Sequence, residues 1–223
     1  MRALVFAPLR NSPGKRDADE FTREARAFCV AHGLRQEVHL FDNHDAPIER
    51  RELLLQRLHE RQPASLDVLA CFMHGWSTGL QIGVDLSTAR GLARALKGVA
   101  ATSLTVVLYC CSTGADTDRD KADDLNQPGP DGDGGFADRL RDELCELGVR
   151  ATVFAHSTAG HCSRNPRVRV FSPDERRGGQ WLVEPQSELW PAWLRALHET
   201  DLRLRFCLMT REQVEAELRG GVA

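Results

Sequence analysis

The sequence predicts an α/β protein: a three-layer α/β/α sandwich around a mostly parallel sheet. Two observations carry that prediction. Short, near-continuous apolar runs recur along the chain, and amphipathic stretches fill most of the gaps between them. A parallel sheet is covered by helices on both faces, so its strands read as unbroken apolar runs rather than alternating ones. The length of 223 residues suits one sizeable core, and 1–223 is read as a single domain.

The first expected strand is Ala3–Leu9 (ALVFAPL) and the second Val38–Asp42. Leu66–His74 (LDVLACFMH) and Leu104–Cys111 (LTVVLYCC) are the longest apolar runs. Arg150–His156 and Val168–Phe171 follow. A helix is expected over Asp17–His32, where Asp17 and Glu20 stand at capping-box spacing and Phe21, Ala25 and Phe28 form one stripe. Ile48–Glu60 follows Pro47, a residue suited to a first helical turn, and carries Leu54, Leu55 and Leu58. Ser87–Leu96 and Phe136–Leu147 supply two more crossovers. Within 188–223, Trp190–His198 and Thr210–Leu218 are expected to close the core, with Trp181, Trp190 and Trp193 packing there. Ser112–Gly135 breaks the pattern: almost free of apolar residues and rich in Asp, Gly and Pro, it is expected to be a long, exposed acidic loop.

With 29 basic and 32 acidic side chains, the formal net charge of −3 gives no reason to expect nucleic acid or an anionic membrane as partner. Apolar residues at 42% exclude a disordered chain. No apolar run approaches the ~20 residues of a membrane span, and the first residues lack a signal peptide's longer apolar region. A cytoplasmic protein is therefore expected. Its seven cysteines, at 29, 71, 110, 111, 145, 162 and 207, contain no C-x-x-C pair and read as reduced thiols, most of them in apolar stripes. No cofactor and no metal is expected.

Ligands of open α/β sheets bind beyond the carboxyl ends of the strands, so the residues that end each run carry the chemistry. One long run ends in His74-Gly75, and the other in Cys110-Cys111-Ser112-Thr113-Gly114. Neighbouring parallel strands would thus present an imidazole and a thiol from one edge. A cysteine hydrolase needs that pair: a thiolate nucleophile, and a histidine that takes its proton and later protonates the leaving group. Gly75 permits close approach of a substrate carbonyl, and its N–H with that of the cysteine would hold an oxyanion.

VLACFMHG followed by LTVVLYCCSTG resembles the two catalytic blocks of the caspase-like cysteine peptidases, a superfamily that includes caspases, metacaspases, gingipains and CHAT-type members. The second block is similar to the L-x-x-C-x-T-G of bacterial CHAT-type members, which implies Cys111 as nucleophile, His74 as its partner and a protein or peptide as substrate. PLRNSPGKRDADEF after the first strand is similar to the caspase opening, where an arginine helps bind an acidic P1 side chain; Arg10 matches it. Two residues before the nucleophile, where caspases have Gln and metacaspases Asp, this chain has Tyr109, which the resemblance places against the substrate. Arg167 and Arg169 lie in the region of the second caspase pocket arginine.

Two other constellations compete. Gly75-Trp76-Ser77-Thr78-Gly79 fits the G-x-S-x-G nucleophile elbow of serine esterases, with Asp133 or Asp138 and His156 or His161 downstream in the required order. That motif must lead at once into a helix, and LQIGVDLS after it does not read as one. His156, His161 and Cys162 cluster after the fifth run, without regular metal-ligand spacing, and read as a polar loop beside the site. A caspase-like fold without activity, acting as a binding module, is the remaining alternative.

Overall fold

The computed structural model describes residues 1–9, 20–34, 38–117, 131–175 and 177–221. The chain opens with β1 (Ala3–Pro8), α1 (Glu20–Ala31), β2 (His39–Phe41), α2 (Pro47–His59) and β3 (Leu66–Phe72). Three two-residue strands follow, β4 (Gly75–Trp76), β5 (Gly79–Leu80) and β6 (Val84–Asp85), then α3 (Ala89–Val99) and β7 (Ala100–Tyr109). The second half comprises α4 (Phe136–Glu146), β8 (Arg150–His156), β9 (Val168–Phe171) and β10 (Gln180–Trp181). It closes with α5 (Trp190–Glu199), α6 (Leu202–Arg205), a 3₁₀ turn at Phe206–Leu208, and α7 (Arg211–Gly220).

Seven strands make one sheet in the order β10-β9-β8-β7-β3-β1-β2. β2, β1, β3, β7 and β8 pair in parallel, whereas β9 and β10 are antiparallel additions at one edge. Successive strand residues point to opposite faces, and the core divides accordingly. Leu4, Phe6, Leu104, Val106 and Leu108 face the layer of α2, α3 and α4. Ala3, Val5, Val107 and Tyr109 face α1, α5, α6 and α7. Both faces of the sheet are covered, which is why its central strands carry apolar residues at consecutive positions.

Three features depart from the sequence reading. β3 ends at Phe72, and β7 runs from Ala100 to Tyr109, so His74 and Cys111 lie just beyond the strands rather than in them. Residues 75–85 form a small antiparallel sheet that the sequence did not announce, its strands being too short for periodicity to show. The described ends of the Ser112–Gly135 segment are packed in part: residues 112–115, Gly132 and Gly135 are buried while Asp131, Asp133 and Gly134 are exposed, and a Cβ on Gly135 would sit 1.9 Å from the Ala115 carbonyl oxygen. Bare glycine backbone at Gly132 and Gly135 lets these ends lie close together. Residues 118–130 lie outside the described residues, as do Arg10 and Asp17. Among the described residues no helix is long and apolar enough to cross a membrane.

Candidate active site

β3 and β7 are parallel neighbours whose last registered pair is Phe72 with Tyr109. His74 and Cys111 each stand two residues past that pair, at one edge of the sheet. The segments touch at Gly75. A Cβ there would lie 2.6 Å from Thr113 Cγ2, 2.7 Å from Cys110 Cβ and 3.0 Å from the Cys111 carbonyl oxygen. Carbon atoms rest about 3.5–4.0 Å apart, so no larger residue fits without displacing the cysteine turn.

The turn after β7 is tightly held. Ser112 adopts φ +56°, a left-handed conformation that is uncommon for a residue with a side chain. Its N–H donates to the Thr158 carbonyl (3.2 Å), and the Gly114 N–H donates to the His156 carbonyl (2.8 Å). The Thr113 hydroxyl donates to the Cys110 carbonyl (3.2 Å), and the Thr113 carbonyl accepts from Ala137 N–H (3.0 Å) at the start of α4. A strained residue that two neighbouring elements hold in place is common where a reactive group must be aimed.

The two adjacent cysteines differ sharply. Cys110 is fully buried, its thiol donates to the Cys71 carbonyl (3.3 Å), and burial pushes it well above the ordinary thiol range. Cys111 is only partly buried, and its Sγ lies 3.4 Å from the Gly160 carbonyl oxygen. Burial raises its titration point as well; the Gly160 backbone hydrogen bond opposes that shift, and the negative charge of Glu20 adds to it. Of the pair, only Cys111 is in part open to solvent.

His74 is braced through its backbone. Its N–H donates to Gln81 Oε1 (3.1 Å) and its carbonyl accepts from the Gln81 N–H (3.0 Å). Its ring stands edge-on to Phe21 of α1, with centroids 5.0 Å apart. Gln81 is a site residue that sequence reasoning missed, because its role depends on the small sheet folding back on the end of β3.

Several expected residues lie elsewhere. Tyr109, expected against the substrate, is fully buried, stacked on Phe72 at 4.3 Å, and donates its hydroxyl to the Arg203 carbonyl (2.8 Å). Its alternation parity turns it into the α1/α5 layer, away from the open edge. Ser77 does not sit on a strand–turn–helix elbow. It lies in the β4–β5 hairpin, fully buried, and its carbonyl accepts from the Phe136 N–H (2.7 Å). Arg169 lies buried over the Trp181 ring, 3.8 Å from its centroid, so Trp181 serves β10 rather than the C-terminal helices. Cys162 does lie in the expected loop, but buried, at 2% exposed.

Residues 157–165 run beside Cys111. The ligand atoms of Glu20, His161 and Cys162 lie within 4.8 Å of one another. The donor set nevertheless does not fit a metal. His161 Nδ1 accepts the N–H groups of Ser163 (3.2 Å) and Arg164 (3.3 Å), so the neutral ring carries its proton on Nε2, the nitrogen 3.4 Å from Glu20. A ligating histidine instead donates from its second nitrogen to an acceptor. The cluster is a hydrogen-bonded strap between α1 and this loop. His156, at the end of β8, is 1% exposed with no hydrogen-bond partner among the described residues at either ring nitrogen, and burial, with a smaller push from His161, lowers its pKa to about 3.

The fold and this edge define an α/β sandwich that presents a histidine and a partly buried cysteine from adjacent parallel strands. No family model matches the chain, and no curated protein or solved structure matches it.

Proposed function

We propose that this chain is a caspase-like cysteine endopeptidase, cytoplasmic, with Cys111 as nucleophile and His74 as general base and acid. The observation that carries the reading is the contact at Gly75, which seats the His74 segment directly on the Cys110–Thr113 turn. In the proposed reaction His74 takes the Cys111 proton, and the thiolate attacks the scissile carbonyl carbon. The Gly75 and Cys111 N–H groups hold the oxyanion. His74 then protonates the departing amine, and water releases the acyl group from the thioester. Arg10 supplies the preference for an acidic P1 residue that the resemblance implies.

The test is cleavage of a peptide library by Cys111→Ala, Cys110→Ala, Ser77→Ala and Arg10→Ala variants. Cys111→Ala is expected to lose turnover while Ser77→Ala keeps it, and Arg10→Ala is expected to lose P1 selectivity. Loss in Ser77→Ala with activity kept in Cys111→Ala would establish a serine hydrolase instead. A wild type that neither cleaves any peptide nor reacts with a thiol-directed peptidyl probe would be a binding module.

A further inference from the structure

The loop that carries Gly160 touches the thiol and is itself tied to α1 at three points. Glu20, in the first turn of α1, faces His161 Nε2 at 3.4 Å and accepts the Cys162 N–H at 3.5 Å. One helical turn on, Glu24 is 3% exposed and accepts the Ser163 hydroxyl at 2.6 Å, with Arg203 Nε 3.2 Å away. The loop's far side is closed by Asn165, whose Nδ2 donates to the Thr158 carbonyl at 2.8 Å. The segment is therefore a latched loop, and its inner carbonyl ends at Cys111.

The chemistry of that contact is specific. A carbonyl oxygen only accepts, so the 3.4 Å contact from Cys111 Sγ exists while the sulfur carries its proton and is lost when it ionises. Glu20 adds a second effect, a carboxylate that opposes negative charge on the nearby sulfur. Burial pushes the thiol's titration point up, the Gly160 backbone hydrogen bond pulls it down and the Glu20 charge pushes it up, and the net shift disfavours the reactive form. Phe21, adjacent to Glu20, packs on the His74 ring, so the same helical turn braces both halves of the pair.

We propose that Glu20 is a positioning residue that latches the 157–165 loop over Cys111, holding its S–H on the Gly160 carbonyl as an autoinhibitory contact whose release frees the thiol for attack. This rests on Cys111 being the nucleophile. Substrate that enters from the exposed side of Glu20 and His161, each side chain 28% exposed, would have to displace the latch. Besides Cys110 beside it, the titratable groups that interact with the thiol among the described residues include Glu20 from α1 and Cys162 from the loop, and His161 faces Glu20 itself.

The test needs no peptide substrate. The rate of iodoacetamide alkylation at Cys111 is followed from neutral to alkaline pH by peptide mapping, in the wild type, Glu20→Ala and Glu20→Gln. Glu20→Ala is expected to lower the pH midpoint and speed alkylation at neutral pH. Each tenfold gain in thiolate is worth about threefold in rate, because nucleophilicity falls as the thiol becomes more acidic. Glu20→Gln, which keeps size and hydrogen bonding but drops the charge, should move the midpoint the same way by less. Labelling of buried Cys29 or Cys207 would mark unfolding in Glu20→Ala, and Glu20→Gln then decides. An unchanged midpoint in Glu20→Gln overturns the proposal. Failure of the peptidase reading shows separately, as a wild type that does not cleave while the labelling shift persists.

Discussion

Replacing Gly75 by alanine adds one methyl group at the point where the His74 segment meets the cysteine turn. That methyl would lie 2.6 Å from Thr113 Cγ2 and 2.7 Å from Cys110 Cβ. Relief to an ordinary carbon contact needs a shift of about 1 Å, since such contacts settle at about 3.5–4.0 Å. The atoms that must move belong to the buried turn after β7, which is bonded to the end of β8 and the start of α4, so the expected cost is that of overpacking a core, about 1–3 kcal/mol. The matched control is Gly91→Ala in α3, where an added Cβ meets nothing within 4 Å among the described residues. That change is expected to stabilise by up to about 1 kcal/mol, because alanine is the better helix former. In a chain of this size each kcal/mol moves Tm by about 2–4 °C, so the two variants should separate clearly in opposite directions. Urea unfolding of both, with unchanged m-values, measures the difference. A Gly75→Ala protein as stable as the wild type, with Cys111 alkylated at the wild-type rate, would refute the packing of His74-Gly75 on the cysteine turn and with it the proposed dyad.

Tyr109→Phe should lose about 0.5–1.5 kcal/mol in urea unfolding, the worth of its 2.8 Å hydrogen bond to the Arg203 carbonyl, and leave KM for peptides unchanged. A raised KM at normal stability would return Tyr109 to the substrate site. Burial of neutral His156 is expected to weaken the fold in acid. Its native pKa is about 3 against an ordinary 6.5, so between those values the unfolded chain binds a proton that the native chain does not. Stability therefore rises with pH across that window and is lost as pH falls through it, by about 1.4 kcal/mol for each pH unit below the unfolded value. His156→Gln should flatten the acid limb of a plot of unfolding free energy against pH, and an unchanged slope would show that the imidazole is not buried neutral.

Much of the architecture was legible because a parallel sheet covered on both faces leaves a simple trace. Leu66–Phe72 and Leu104–Tyr109 are apolar at nearly every position because alternate residues feed two different cores. His74 and Cys111 were legible as strand-end residues for the same reason, since an apolar run marks where its strand stops. The small sheet at 75–85 was not, because two-residue strands show no period. Without it neither the bracing of His74 by Gln81 nor the burial of Ser77 can be inferred.

Sequence alone determined the layer order, the sheet's parallel centre and the edge from which a histidine and a cysteine emerge, all of which follow from local hydrophobic pattern. Only the tertiary structure decided between neighbours. Cys110 and Cys111 are identical in composition, yet one donates to a core carbonyl and the other to a loop tied down by a helix more than a hundred residues earlier in the chain. Tyr109 and Ser77, both placed in a site by motif, were turned inward by strand parity and by a hairpin. Burial and partner choice depend on contacts between distant segments, and pattern along the chain carries no record of them.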